Sequence, residues 1–522
     1  MAIFIWSANG LASTSILLLV SYFIYNVVYN LAIHPLRHFP GPLLHRATRL
    51  TYLYHTMRGK MPFLILPMHN RYGPVIRIAP DQLAFLDTAA WKDIYGRRND
   101  LLQKTSDKGD DVVDGDELAK DPRFYHIDGV DESILSESRA NHAMLRRQLL
   151  PGFSDRAMRE QAPMIEQYAT LLVKRLREIA TSANKKSADM LCWYSWTTFD
   201  IIGDLAFGEP FGYLATGDND GKQPWIDALL AVYVGPLVVF CKLTSITGWV
   251  FPVLAWLFPA MAAHNQGGID KIKRRMALAE RRPDPIQGLV DKNAHEWGHN
   301  LTIQQISGTA GIVVLAGAET TTKMLTATTY FLLKNPDTLA RATAEVRSVF
   351  ASADDITFLT ATATKIPYVL ACLNESLRRY PPAGVGLPRL TPKDGAMIAG
   401  VFVPGNTAVA CWQLAMNHND EYWEDPYMFK PERFLDGTKH EKDRMEALQP
   451  FSVGPRNCIG RNLAFAEARL VMAQVLYNFD LSLAEPEDKD WLDQKAYVIW
   501  DTPAMRVFLK EAKTAKKERY QE

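Results

Sequence analysis

A single cysteine, Cys458, stands in the run Phe451-Ser-Val-Gly-Pro-Arg-Asn-Cys-Ile-Gly460, between glycines and just ahead of an apolar helical segment. Gly454 and Gly460 let the backbone turn closely around the sulfur. A helix starting near Asn462 points its positive end at it, which favours thiolate over thiol. Without a CxxC partner or nearby histidines such a thiolate makes a poor zinc site, but it suits an iron whose other ligands come from a porphyrin. The plainer alternative is a cysteine acting as a small buried hydrophobe. A second signature, Ala316-Gly-Ala-Glu-Thr320-Thr, lies inside a long apolar stretch. Small residues at 316 to 318 leave room for a flat cofactor and dioxygen, and Glu319 beside Thr320 can relay protons into a buried site. Glu375-x-x-Arg378 sets opposite charges on one helix face, and Arg433 follows downstream.

Taken together, Phe-x-x-Gly-x-Arg-x-Cys-x-Gly, the Glu-Thr pair and Glu-x-x-Arg occur in the order found in the cytochrome P450 superfamily of haem-thiolate monooxygenases, which this sequence resembles along nearly its whole length. The resemblance implies the cytochrome P450 fold, mainly α with a smaller β region, preceded by one N-terminal transmembrane helix. It implies haem b with an axial thiolate from Cys458, Phe451 against the macrocycle, Gly454 in the turn, Arg456 on a haem carboxylate, and Ala316 and Gly317 beside the cofactor. His142 and Arg146 stand where relatives carry Trp-x-x-x-Arg to bind haem propionates, and His142 is a departure from that pattern. Arg389 is expected on a propionate. Glu375, Arg378 and Arg433 are expected to form a buried charge network, and Ala316, Val385 and Ile499 to border the substrate.

The elements that must position these residues can be read along the chain. Site residues as far apart as 146, 320, 378 and 458 argue for one large domain within the 522 residues. Fifty-eight basic and 58 acidic residues balance, which gives no support for nucleic-acid binding. Five cysteines, odd in number and irregularly spaced, argue against a disulfide framework and for a reducing compartment. Residues 1–36 carry no Asp, Glu, Lys or Arg, and 11–33 could form a helix of about 35 Å, enough to cross a bilayer. A cleaved signal peptide is the rival, but the segment lacks a basic start and a clear cleavage site. Arg37, Arg46 and Arg49 after it place the catalytic domain of a single-pass protein on the cytoplasmic side, and the resemblance implies the endoplasmic reticulum membrane. The divisions expected are an anchor over 1–36, a proline-rich hinge over 37–45, the monooxygenase domain over 46–509 and a charged tail over 510–522.

Within the domain, 75–85 reads as a hairpin, 89–95 as a short helix, and 97–139 as a polar loop covering the pocket. A helix begins near Ser138, and helices fill 155–208. The apolar stretch 232–258 reads as a pair of roof helices dipping into the bilayer surface, with a second span as the alternative. Thr302-x-x-Gln305 is a capping box opening a helix of about 33 residues that ends at Asn335-Pro336. Residues 396–404 read as a hairpin, 430–449 as a meander, and 491–509 as a returning hairpin with its tip near Ile499.

No Gly-x-Gly-x-x-Gly fingerprint is present, so no nicotinamide or flavin of its own is expected. Electrons then come from an NADPH-dependent flavoprotein reductase, with cytochrome b5 as a second donor, docking near Lys439, Lys442 and Arg444. His142 together with Gly386-Leu-Pro-Arg389 resembles averantin and isotrichodermin hydroxylases, which implies a lipophilic polyketide or terpenoid intermediate of fungal secondary metabolism as substrate, with fatty-acid or xenobiotic oxidation as the alternative. Two other readings stand beside this one: a haem-thiolate isomerase or dehydratase needing no reductase, and a non-catalytic carrier of haem or a lipophilic ligand.

Overall fold

The computed structural model describes residues 2–98, 117–125, 133–182, 187–217, 259–278, 281–291, 301–435, 437, 442–484 and 490–513. The apolar stretch 232–258, Lys439, and most of the polar loop 97–139 therefore lie outside the described residues.

The architecture is mainly helical with small sheets, as the sequence implies. Its axis is the helix Ile303–Lys334. The Thr302 hydroxyl accepts from the Gln305 amide at 3.1 Å, the Gln305 side chain accepts from the Thr302 amide at 3.0 Å, and Asn335-Pro336 ends the helix. The β-branched run Thr320 to Thr329 survives inside it because the hydroxyls bond back one turn, Thr326 to the Thr322 carbonyl at 2.8 Å and Thr328 to that of Met324 at 2.7 Å. Two more threonines bolt this helix to its neighbour Met190–Phe207, through Thr198 to Thr322 at 2.8 Å and Tyr194 to Thr329 at 2.9 Å. Helices Pro259–Ala277, Pro367–Arg379 and Arg461–Asn478 also pack on it. The predicted helical region 155–208 is two helices, Asp155–Ala180 and Met190–Phe207; the short strand Ala188–Asp189 precedes the second.

A five-stranded sheet forms the second body, in the order Val75–Ala79, Gln82–Phe85, Ala408–Cys411, Arg389–Leu390, Ala119–Lys120. The hairpin 75–85, the helix Ala89–Tyr95 and the hairpin of Ala396–Ile398 with Val401–Val403 fall where the sequence places them. The returning hairpin is divided. Lys495–Ala496 pairs with Trp500–Asp501, while Arg506–Glu511 joins a separate sheet with Phe479–Leu483 and Ala188–Asp189. The alternating apolar residues Val507 and Leu509 are buried there, and that burial decides the pairing.

The N-terminal helix Ala2–Val28 runs into a π-helical turn, Tyr29–Ile33, and the stretch Ser13–Ile33 is long and apolar enough to cross a membrane. It ends at His34-Pro35, ahead of the proline-rich segment 37–45, because the residue preceding a proline is pushed out of the helical region. The segment read as a hinge is pinned to the sheet. Arg77, fully buried in its strand, donates to the carbonyls of Asn30 at 2.9 Å, Leu36 at 3.3 Å and Pro80 at 2.6 Å, and its own amide donates to Pro40. Asn30 in turn donates to the Ala47 carbonyl at 2.9 Å. An Arg77→Leu variant is therefore expected to be cut faster by protease between residues 30 and 42 in membranes; an unchanged cleavage rate there would show that the strand does not hold the anchor.

Candidate functional site

Residues 451–460 are shaped by backbone bonds. The Cys458 amide donates to the Phe451 carbonyl at 2.9 Å and the Asn457 amide to that of Gly454 at 3.1 Å. Gly454 takes φ +79° with its α-carbon against the Tyr95 carbonyl, so a side chain there would meet both backbone strain and a clash. The helix Arg461–Asn478 follows directly. Phe451 packs on Phe465, with ring centres 5.2 Å apart.

Arg146, on the helix Arg139–Leu149, grips the same loop. Its guanidinium donates to the Asn457 carbonyl at 2.6 Å and to Asn457 Oδ1 at 2.7 Å, one residue before the cysteine. Arg147 is exposed. Desolvation raises the Cys458 thiol against the lowering pull of the Gly460 amide, Arg146 and Arg461, while the side chain stays exposed.

A cluster of cations forms a second wall. Arg389 and Lys120 are direct cross-strand neighbours, an arrangement that destabilises a sheet unless an anion compensates. Arg389 is buried, with its Nε and one terminal nitrogen lacking any hydrogen-bond partner. Arg456 donates to Glu117 at 2.6 Å and to the Glu137 carbonyl at 2.9 Å. Burial, then Arg389 and Arg456, lower Lys120 to about 6; burial, then Arg456, Lys120, Arg146 and Arg389, lower His142 to about 3. At neutral pH His142 is thus an uncharged donor or acceptor. This set is short of negative charge, and a ligand bearing carboxylates would supply it.

The second signature lies on the central helix. Ala316 is exposed, and the Thr320 hydroxyl donates to its carbonyl at 2.6 Å. A β-carbon on Gly317 would sit 2.9 Å from Ile202, so glycine allows close helix packing there. Glu319 is buried, 3.5 Å from Lys323 one turn on. Of the residues expected at the pocket border, Val385 is buried in the core under the sheet and Ile499 is half-buried at the turn before Trp500. Trp500 stacks on Tyr380 at 4.2 Å and donates to the Pro381 carbonyl at 2.7 Å, which ties that turn to the segment carrying Val385.

The charge network is assembled below. Arg378 donates two 2.7 Å bonds to Glu375 and further bonds to the carbonyls of Asn417, Pro426 and Met428. Glu375 also accepts from the Lys430 amide at 2.9 Å. Arg433 comes no nearer than 3.5 Å to Glu375 and pairs instead with Asp443, at 2.6 and 2.7 Å. Asp443, Glu117, Lys120 and Asn457 escaped the sequence reading. Asp443 lies ten residues from its partner within the meander, the one placement a search for acids around Arg433 could have found.

The sequence profile of the family "Cytochrome P450" matches residues 53–507. Among curated proteins, Cytochrome P450 monooxygenase tpeC of Talaromyces stipitatus is 41% identical over 96% of this chain and 95% of its own length. Cytochrome P450 monooxygenase FUM2 of Gibberella moniliformis is 37% identical, over 93% of this chain and 100% of its own length. Trichothecene C-15 hydroxylase of Fusarium sporotrichioides is 36% identical, over 94% and 96% respectively.

Proposed function

The chain belongs to the cytochrome P450 family of monooxygenases, and from that premise we propose that it oxidises a lipophilic polyketide or terpenoid intermediate of fungal secondary metabolism, at the endoplasmic reticulum membrane, with electrons from an NADPH-dependent flavoprotein reductase. The observation that carries the site assignment is the buried Arg389 with unpartnered donors, opposite Lys120 and near Arg456, in a protein that also offers the Cys458 sulfur. Haem b carries two carboxylates and its iron accepts a sulfur ligand, so the basic side chains and Cys458 fit it. Haem, when bound, supplies dioxygen activation.

The chain's own part is ligation, orientation and proton supply. Cys458 would hold the haem iron, with its loop gripped by Arg146 through Asn457. Arg389, Lys120 and Arg456 would hold the carboxylates, with His142 as a neutral hydrogen-bonding neighbour. Thr320, on the face that exposes Ala316, would exchange its bond to the Ala316 carbonyl for one to dioxygen, with Glu319 next in the proton path. Lys442 and Arg444 are exposed and suit an acidic reductase surface.

Two measurements test this. Spectral titration of the haem-loaded protein should show a substrate-type shift with polyketides or terpenoids; a response confined to fatty acids would overturn the substrate class. Thr320→Ala, reconstituted with reductase and NADPH, should divert most electrons to hydrogen peroxide, and wild-type peroxide yield would remove Thr320 from the proton path. The name Trichothecene C-15 hydroxylase, a terpenoid hydroxylase, supports the substrate class.

A further inference from the structure

Four buried aromatic side chains touch in file: Trp500, Tyr380, Trp491 and Tyr330. Trp500 stacks on Tyr380 with ring centres 4.2 Å apart, Tyr380 tilts on Trp491 at 5.5 Å, and Trp491 stacks on Tyr330 at 4.7 Å. The inner end lies by the segment expected at the substrate: a β-carbon on Gly384 would sit 3.7 Å from the Trp500 ring, next to Val385. Burial raises the Tyr380 hydroxyl, and the charge of Glu319 is among the smaller causes, so Tyr380 is within electrostatic reach of the residue beside Thr320. At the outer end the Tyr330 hydroxyl donates to Asp490 at 3.2 Å, and Asp490 is exposed.

Stacked rings alone are ordinary core packing. Their polar atoms add a direction. The Trp500 indole N–H donates to the Pro381 carbonyl, and the Tyr380 hydroxyl is bonded to Gln494 and Thr502 at 2.7 and 2.8 Å, all neutral groups. The Trp491 Nε1 is buried with no hydrogen-bond partner, a costly arrangement for a structural residue. Of the four, Tyr330 is the one whose proton meets a carboxylate. Indoles and phenols give up single electrons more readily than most side chains, and a phenol does so best when its proton has a base to go to. An electron vacancy entering at Trp500 therefore finds no proton acceptor until it reaches Tyr330.

Resting on the monooxygenase reading above, we propose that Tyr330, Trp491, Tyr380 and Trp500 carry single electrons inward, giving the protein a second, peroxidase-type activity: hydrogen peroxide from uncoupled turnover is reduced at the haem site at the expense of an ascorbate-type enediol at the surface. In each passage one electron leaves Tyr330 along the file and its O–H proton goes to Asp490. The enediol re-forms the O–H by giving up a hydrogen atom, and Asp490 releases its proton to water. Two passages supply two electrons to one hydrogen peroxide, which takes up two protons and leaves as two waters, while two enediols become two one-electron-oxidised products.

The test is electron paramagnetic resonance on full-length, haem-loaded protein mixed with hydrogen peroxide and frozen at once, without reductase or substrate. Wild type should give a tyrosyl signal that narrows when ring-deuterated tyrosine is incorporated. Tyr330→Phe keeps the stacked ring and removes only the hydroxyl, so it should lose that signal and leave a tryptophan radical in its place. Asp490→Asn, an exposed change, should weaken the tyrosyl signal by removing the proton acceptor. Ascorbate should abolish the wild-type signal and slow peroxide bleaching of the haem several-fold, and should not slow it in Tyr330→Phe. A tyrosyl signal of wild-type size in Tyr330→Phe would overturn the proposal. So would the absence of any protein radical in wild type whose reduced carbon monoxide complex shows the thiolate-type band. Haem-loaded wild type lacking that band would overturn it together with the reading it rests on.

Discussion

Cys458→His should leave the reduced, carbon monoxide-treated protein without the red-shifted thiolate-type band that the wild type shows. The effect is expected to be complete, because the band reports a sulfur ligand on iron and the other described cysteines, 192, 372 and 411, lie outside the loop that carries Cys458. The variant should still fold. The loop is held by backbone bonds from the Cys458 and Asn457 amides and by Arg146 on Asn457, none of which uses the sulfur. A wild-type band persisting in the variant would move the ligand elsewhere. A wild type that binds haem yet never shows the band would bring the carrier reading forward.

The second large effect is expected at Glu375. Glu375→Ala removes the acceptor of two short, fully buried bonds from Arg378 and of the part-buried Lys430 amide. Arg378 keeps three carbonyls but loses its counter-charge, and stranding one partner of a buried pair costs about 3–5 kcal/mol. Against a typical total stability of about 5–15 kcal/mol, that is enough to deplete the folded, haem-holding population. Arg433→Ala strands Asp443 more than Glu375 and should be rescued in part by Asp443→Asn, whereas Glu375→Ala should not be. Equal haem content in wild type and Glu375→Ala, measured after purification from membranes, would mean the network is dispensable.

What could be read in advance was local. The capping box at Thr302, the stop at Asn335-Pro336, the hairpin at 75–85 and the charge pair at 375 and 378 are each written within a few residues, and the structure has all of them. What could not be read was the identity of distant partners. The place of Arg146 in the Trp-x-x-x-Arg pattern of relatives says nothing of its bonds to Asn457, 311 residues away. Lys120 faces Arg389 because two two-residue strands pair, and strands that short leave no periodic signal. Gly317 looked like space for a cofactor, and the side chain that demands its smallness, Ile202, comes from another helix.

The bonds of Arg77 bear on how this protein can be made soluble. Cutting away the apolar leader at residue 36 would discard the Asn30 carbonyl, and a cut a few residues later would discard that of Leu36 as well. Each deletes an acceptor from a guanidinium that has no access to water. The catalytic domain thus begins, energetically, inside the segment that looks like its tether. A truncated form that starts before Asn30 keeps the strand satisfied, while one that starts at the prolines carries a buried, half-bonded cation into every later measurement.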